Sequence, residues 1–441
     1  MMASSLMEVN VPTQSEVNDL LQRTETYLTD RLLPFWIANS PDREYGGFLT
    51  YFDRHGKATG ETTKTFLMQI RMLYTLSSAH RSGYGAGSCA ELARWAADFI
   101  LAHYWDDEHE GWNWIADRQG NPTYRGKVGY GQCFGIYAFS EYYLATGDER
   151  GREAAECTYS AVAKHMGDTH YGGYYEIMRP DWQLERPGKY GGDRKSLDVH
   201  MHMMEAFTCL YEMTRHPSHR RRLLEVIDLI IGRMLQPQTG TGYMQFALDF
   251  TPLWAIDFAV EWGSNEQPED GVAKPLNYTS YGHNVEFAWL LLHAADILDQ
   301  PRQTYVEVTR RIFDQCLQYG IDQEYGGVYI EGPADTPTRN QHKQFWQQAE
   351  VLVGMLDAYA LLGEEKYWHG FRSVYDFVWT KFVNLPAGGE WYALVDRDGT
   401  PIWDYLGHAW KISYHTVRAT IQVVQRLRAL AGSILLNPAQ G

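Results

Sequence analysis

Two kinds of helical pattern alternate along the chain. One set, over roughly 15–33, 88–105, 150–167, 218–235, 301–319 and 365–383, places Leu, Ile, Val or Phe at i, i+3, i+4 spacing with charged residues opposite, the signature of a helix with one buried face. The other set, over roughly 64–80, 129–145, 196–214, 282–299, 342–361 and 409–429, is apolar nearly all round, as in YGQCFGIYAFSEYYLA and HNVEFAWLLLHAADIL. Such helices are enclosed on most sides. Between each amphipathic helix and the apolar one after it lies a glycine, a short alternating aromatic stretch and, in several copies, a second turn. The copies are Asp42 to Phe48 leading to Asp53–Gly56, Asp107 to Trp112 leading to Asp117–Gly120, Asp168 to Tyr174, a degenerate Gly240 to Tyr243, Asp322 to Val328, and Gly388 to Tyr392 leading to Asp396–Gly399.

The hairpin glycines Gly46, Gly111, Gly172, Gly242, Gly326 and Gly389 are spaced by 65, 61, 70, 84 and 63 residues, so one supersecondary unit recurs six times. Six such units predict an all-α fold: an (α/α)6 barrel, a single catalytic domain over 1–441, with short β-hairpins at one end and a funnel where the inner helices begin. An open α-solenoid is the alternative, but these repeats show no distinct capping units.

Charge and composition narrow the function. Lys and Arg total 39 against 55 Asp and Glu, a net charge of −16, which excludes an electrostatic grip on nucleic acid or an anionic membrane. No apolar run approaches the roughly 18 residues of a membrane span; Phe287 to Leu298, the longest candidate, contains His293 and Asp296. The opening MMASSLMEVNVPTQ lacks the basic and apolar regions of a secretory signal. Five unclustered cysteines (Cys89, Cys133, Cys157, Cys209, Cys316) fit a reduced, cytoplasmic setting. Aromatics reach 14% of the chain, more than a core of this size needs, so some of them line a site.

Ionisable residues on enclosed helices need a reason, because an unpaired buried charge costs several kcal/mol. Near the hairpin end stand Arg71, Tyr130, His202 with Glu205, His283 with Glu286, Trp346 with Glu350, and Trp410 with His415. His283 and Glu286, at i and i+3, share a helix face, where the carboxylate would fix the imidazole tautomer and raise its basicity. His200 and His202 lie about 200° apart on a helix and cannot chelate one ion together; no HExxH, CxxC or 2-His-1-carboxylate order is present, so no metal is expected. Glu205, Glu286 and Glu350 leave inverting glycoside hydrolysis open. Two imidazoles with a guanidinium suit proton removal and return at a carbon next to a carbonyl, the imidazoles as base and acid and Arg71 against the developing oxyanion.

In SYGHNVEFAWLL, FWQQAEVLVGMLDAYALLGEEKYW, EWYALVDRDGTP and HAWKISYH the chain resembles the N-acylglucosamine 2-epimerase superfamily, most closely its cellobiose and mannose 2-epimerase branch. The resemblance spans nearly the whole chain. It implies an (α/α)6 barrel, working as monomer or homodimer without metal or cofactor. It also implies interconversion of glucose-type and mannose-type reducing sugars by ring opening and proton transfer at C2. By the same resemblance His283 and His415 are the acid/base pair, Glu286 the partner of His283, Arg71 the holder of the open-chain oxygens, Tyr130 and His202 substrate contacts, and Trp346 and Trp410 the sugar-stacking rings. Asp198 stands where Asn is usual, Asn284 where Asp is common, and Ser413 where Pro is usual; Asp198 and Asn284 are taken as further substrate contacts. The long fourth unit, from about Asp249 to Asn277 with Trp254, Trp262 and the acidic Glu266–Asp270 patch, is expected to fold over the funnel and favour a monosaccharide over a disaccharide. Aldose–ketose isomerisation and non-catalytic sugar binding are the remaining alternatives.

Overall fold

The computed structural model describes residues 12–258 and 273–436. Among these, twelve principal helices alternate between an outer and an inner ring. The outer helices are α1 (residues 14–39), α3 (Ser88–His103), α5 (Glu149–Ala161), α7 (Pro217–Leu229), α9 (Val306–Gln315) and α11 (Glu365–Phe377). The inner helices are α2 (Phe66–Arg81), α4 (Gly129–Thr146), α6 (Leu197–Thr214), α8 (Tyr281–Ile297), α10 (Phe345–Leu362) and α12 (Ser413–Leu436). Each inner helix packs on the next and α12 packs on α2, while α1 backs α12. The ring is closed, and the (α/α)6 barrel replaces the open-solenoid alternative.

The apolar all-round pattern is explained by this double enclosure: of α4, every residue from Gly129 to Tyr142 is buried. Five of the six outer helices contain or run into a single π-helical turn (Leu28–Leu32, Val162–Met166, Ile230–Met234, Cys316–Gly320, Val378–Phe382).

At that end a two- or three-residue strand before each of the first five inner helices pairs antiparallel with the following unit's hairpin: Lys64–Thr65 with Ile115–Ala116, Lys127–Val128 with Ile177–Met178, Arg194–Ser196 with Gln245–Ala247, Tyr278–Ser280 with Glu331–Pro333, and Lys343–Gln344 with Leu394–Val395. A bridge between Phe52 and Gly407 joins the last unit to the first. Two kinds of side chain lock the turns to the inner helices, each in five of the six units. A lysine two residues before the helix neutralises the hairpin acid, in Lys64–Asp42, Lys127–Asp106, Lys195–Asp168, Lys343–Asp322 and Lys411–Glu390, all at 2.7–3.0 Å and buried. The fourth helical residue accepts a hairpin N–H: Gln69 from Phe48, Gln132 from Trp112, His200 from Tyr174, Asn284 from Gly242 and Gln348 from Val328. The second turn is therefore anchored at Asp106, one residue earlier than the Asp107 expected. Gly47 shows why these turns need glycine: its φ is +62°, and a Cβ would sit 2.6 Å from Phe99.

Candidate active site

The inner helices begin around a cavity of about 760 Å³. Of the ten side chains expected at the site, nine line it: Arg71, Tyr130, Asp198, His283, Asn284, Glu286, Trp346, Trp410 and His415. His202 lies just behind the wall, 3.0 Å from the Tyr130 hydroxyl and 3.3 Å from Asp198 Oδ1. Helix register explains the convergence. The sixth residues of the inner helices are Arg71, Phe134, His202, Glu286, Glu350 and Arg418, one ring of side chains around the barrel axis. One turn nearer the hairpins, His283 and His415 are the third residues of α8 and α12.

His415 is buried, and its Nδ1 donates to Glu350 Oε1 at 2.7 Å, so Nε2 carries the lone pair. Burial, with the cations Arg71, Arg418 and His202 nearby, holds the ring well below the ordinary histidine range. It is a neutral imidazole of fixed tautomer, the state a general base requires. His283 is partly exposed to the cavity; its Nε2 lies 3.4 Å from Asp198 Oδ1. The Trp346 ring lies tilted against both, its centroid 4.5 Å from that of His283 and 5.8 Å from that of His415. Both imidazoles therefore address one space.

Arg71 donates through Nη2 to the Tyr130 hydroxyl at 2.7 Å and lies between the Phe134 and Tyr414 rings, at 4.6 and 4.7 Å. Its buried Nε makes no hydrogen bond, which leaves donor capacity for an oxyanion. His202 is held between acids. Burial opposes its charge, but its contact with Asp198 and the hydrogen bond it donates to Glu205, whose Oε2 is 2.8 Å from Nδ1, raise it to about 10. Asp198 is correspondingly low, at about 2, since His283, His202 and Arg71 outweigh the cost of burial.

Two expectations need correction. Glu286 is not the partner of His283: its Oε1 accepts from Arg418 Nη2, and among the described residues the acid paired with His283 Nε2 is Asp198. Asn284 has both amide atoms engaged within the protein, Oδ1 by the Gly242 N–H at 2.9 Å and Nδ2 by Thr279 Oγ1 at 2.8 Å, so it braces the fourth hairpin while touching the cavity. The Trp262 and Glu266–Asp270 part of the fourth-unit loop lies outside the described residues, although Ile256, Asp257 and Phe258 do line the cavity.

Arg418 was not foreseen. Its guanidinium is buried, donates to Glu205, Glu286, Glu350 and the Tyr414 hydroxyl, and stacks at 4.3 Å over Tyr414. The sixfold register, once found, is the signal that marks it. The three glutamates that left hydrolysis open converge on this one cation, and of the three only Glu286 reaches the cavity lining, so they do not stand across a cleft as a hydrolytic pair would. The same cation answers whether a metal would fit. His202, Glu205 and Glu286, and Glu286, Glu350 and His415, bring donor atoms within 4.8 Å of one another. The positive charge those acids call for is already supplied by the guanidinium, and His415 Nδ1 is committed as a donor.

Fold and site together define a closed α-barrel enzyme of acid–base type, in which two imidazoles and a guanidinium share one cavity. A family model described as N-acylglucosamine 2-epimerase matches residues 46–419. The cellobiose 2-epimerase of Bacteroides fragilis is 26% identical over 417 residues, covering 92% of this chain and 98% of that one. The D-mannose isomerase of Marinomonas mediterranea is 24% identical over 403 residues, 90% of this chain and 95% of that one. The solved structure of cellobiose 2-epimerase from Spirochaeta thermophila superposes with a TM-score of 0.82 at 26% identity, over 95% of this chain and all of the other. The chain belongs to the N-acylglucosamine 2-epimerase family, whose relatives here are isomerases acting on carbohydrates.

Proposed function

We propose that the protein interconverts glucose-type and mannose-type reducing sugars at C2, either D-mannose and D-glucose or the reducing end of a cellobiose-like disaccharide. The observation that carries this reading is the pair of imidazoles, His283 and His415, packed against the same Trp346 and opening on one cavity with Arg71. In the open-chain sugar the C2 proton is acidified by the C1 carbonyl. His415, neutral and with Nε2 free, removes it; the electron pair moves onto O1, where the Arg71 guanidinium meets the negative charge; His283 delivers a proton to C2 from the other side, and C2 is inverted. The reverse reaction exchanges the two roles. Trp346 and Trp410 offer their faces to the sugar.

A second reading, aldose–ketose isomerisation, draws on one asymmetry: of His283 and His415, His415 is the one with a ring nitrogen on a buried glutamate, and one base working on one face would carry the proton between C2 and C1. We read the whole chain as one catalytic domain, since all six inner helices contribute to the site. No described helix is long and apolar enough to cross a membrane, and all five cysteines are free, which supports the reducing cytoplasm as its setting.

The test is proton and carbon NMR of D-mannose, and separately of cellobiose, incubated in D2O with EDTA-treated protein. A C2 epimer carrying deuterium at C2 is expected, and the faster sugar defines the substrate class. Fructose from mannose would move the assignment to isomerase. Free glucose from cellobiose, or no change in either sugar, would refute it.

A further inference from the structure

Four carboxyl groups crowd this end of the barrel. Glu286 and Glu350 are neighbours in the ring of sixth residues and share the Arg418 guanidinium; Glu205 reaches the same cation, and Asp198 lies against His202 and His283. Two buried carboxyls side by side cannot both ionise without strong repulsion, so one keeps its proton. The hydrogen bonds and charges around each decide which one. Glu205 accepts from His202, Tyr414 and Arg418. Glu350 accepts from His415 and Arg418 on Oε1 and from Trp289 Nε1 at 3.1 Å on Oε2, so both its oxygens face donors that stabilise the anion against the burial that raises it. Asp198 Oδ1, like Glu286 Oε2, is buried without a hydrogen bond, but it lies 3.3 and 3.4 Å from ring nitrogens of His202 and His283, whose charges, with that of Arg71, hold the carboxyl ionised against its burial. Glu286 has a single partner, Arg418 on Oε1; its Oε2 is buried without any hydrogen bond.

Glu286 also has the right position. It lines the cavity, as Arg71 does, and one of its oxygens lies within 4.8 Å of a ring nitrogen of His202 and within 4.8 Å of one of His415. The groups that bear on it are Arg71 on α2, Tyr130 on α4, His202, Glu205 and Asp198 on α6, Glu350 on α10, His415, Tyr414 and Arg418 on α12, and His283 one turn before it on α8.

We propose, building on the epimerase reading, that Glu286 enters the reaction as a neutral carboxyl whose Oε2–H donates a hydrogen bond to the sugar oxygen on which charge develops, beside Arg71. No proton need leave it: the C2 proton still moves to one imidazole and returns from the other. The electrostatics agree. Burial, reinforced by the neighbouring Glu350 charge, raises Glu286 to about 7, although Arg418 and His202 pull it down; Glu205, on which Arg418, His202 and Tyr414 outweigh burial, lies at about 2.

Two measurements decide it. Infrared difference spectra of the resting protein, wild type minus Glu286→Gln, should show the carbonyl stretch of a protonated carboxylic acid below neutral pH, giving way to a carboxylate above it. Because the amide keeps an N–H donor, Glu286→Gln should lose no more than about tenfold in kcat/KM and should flatten the decline that wild type shows as pH rises past neutrality. Glu286→Ala, which removes the donor, should lose about 10²–10³-fold. Absence of the acid band, or a Glu286→Gln enzyme as impaired as Glu286→Ala, would overturn the proposal. The infrared result needs no turnover, so it decides the state of Glu286 even if wild type were to leave both sugars unchanged and the epimerase reading itself failed.

Discussion

Replacing Arg418 by Leu removes the one cation shared by Glu205, Glu286 and Glu350 and leaves its stem volume largely filled. Taking one partner from a buried ion network costs about 3–5 kcal/mol, because uncompensated charge stays behind. Glu205 gives an independent scale. Its pKa falls from 4.5 to about 2 on folding, and roughly 2.5 units at about 1.36 kcal/mol each is about 3 kcal/mol, shared among Arg418, His202 and Tyr414. The sign follows from that depression: the stabilisation is present above about 4.5 and is lost as pH falls toward about 2. In the variant the same carboxyls take up protons at higher pH than in wild type, so the penalty is largest on the alkaline side and shrinks on acidification. We expect a loss of about 4 kcal/mol at pH 8 that falls to about half by pH 5, read from urea midpoints and m-values of both proteins at the two pH values. A loss below about 1 kcal/mol at pH 8, or an equal loss at both pH values, would refute the account of Arg418 as the counter-ion of the ring.

His415→Ala and His283→Ala should each lower kcat by about 10²–10⁴-fold while sugar binding, followed by calorimetry, survives; loss of binding instead would make the rings contacts and not bases. Asn284→Ala strands the Gly242 N–H and should cost about 1–3 kcal/mol in thermal or urea unfolding, whereas a purely substrate-facing asparagine would leave stability unchanged. Asp198→Asn takes one of the two acids from His202; the wild-type ring, raised to about 10, contributes stability that is full below about 6.5 and is lost as pH rises through 10, and the variant should titrate at lower pH by histidine NMR. An unmoved His202 titration would show that Glu205 alone holds it.

The repeat was legible because each unit carries two periodicities that differ in kind, one amphipathic and one apolar all round, and because the turns between them need glycine. Six copies then bring the starts of six helices together, which is why residues as far apart as Arg71 and His415 could be assigned to one end without any contact being known. The partners of those residues were not legible. His283 and Glu286 share a helix face, yet a face is about a quarter of the cylinder wide, and within it the carboxylate met a guanidinium 132 residues further along the chain. The buried lysine–aspartate locks went unread for a related reason: Lys64 and Lys343 sit next to turns, where a lysine ordinarily means solvent. Asp106 and Asp107 are adjacent and equally suited to start a turn; only the reach of Lys127 chooses between them.

The register that places Arg418 also explains why the site is charged where it is. Around the ring of sixth residues run Arg71, Phe134, His202, Glu286, Glu350 and Arg418, so the two acids are neighbours, with Arg418 beside Glu350 and His202 beside Glu286. Two carboxylates side by side in a buried ring cannot both ionise without strong repulsion. Burial raises Glu350 as well, but Arg418, Trp289 and His415 all donate to it, and as an anion it holds His415 Nδ1–H so that Nε2 stays basic. Its neighbour Glu286 is thereby pushed toward the neutral form. One arrangement of charge, set by the sixth position of six repeated helices, keeps a base free of its proton and, within 4.8 Å of it, a carboxylic acid in possession of its own.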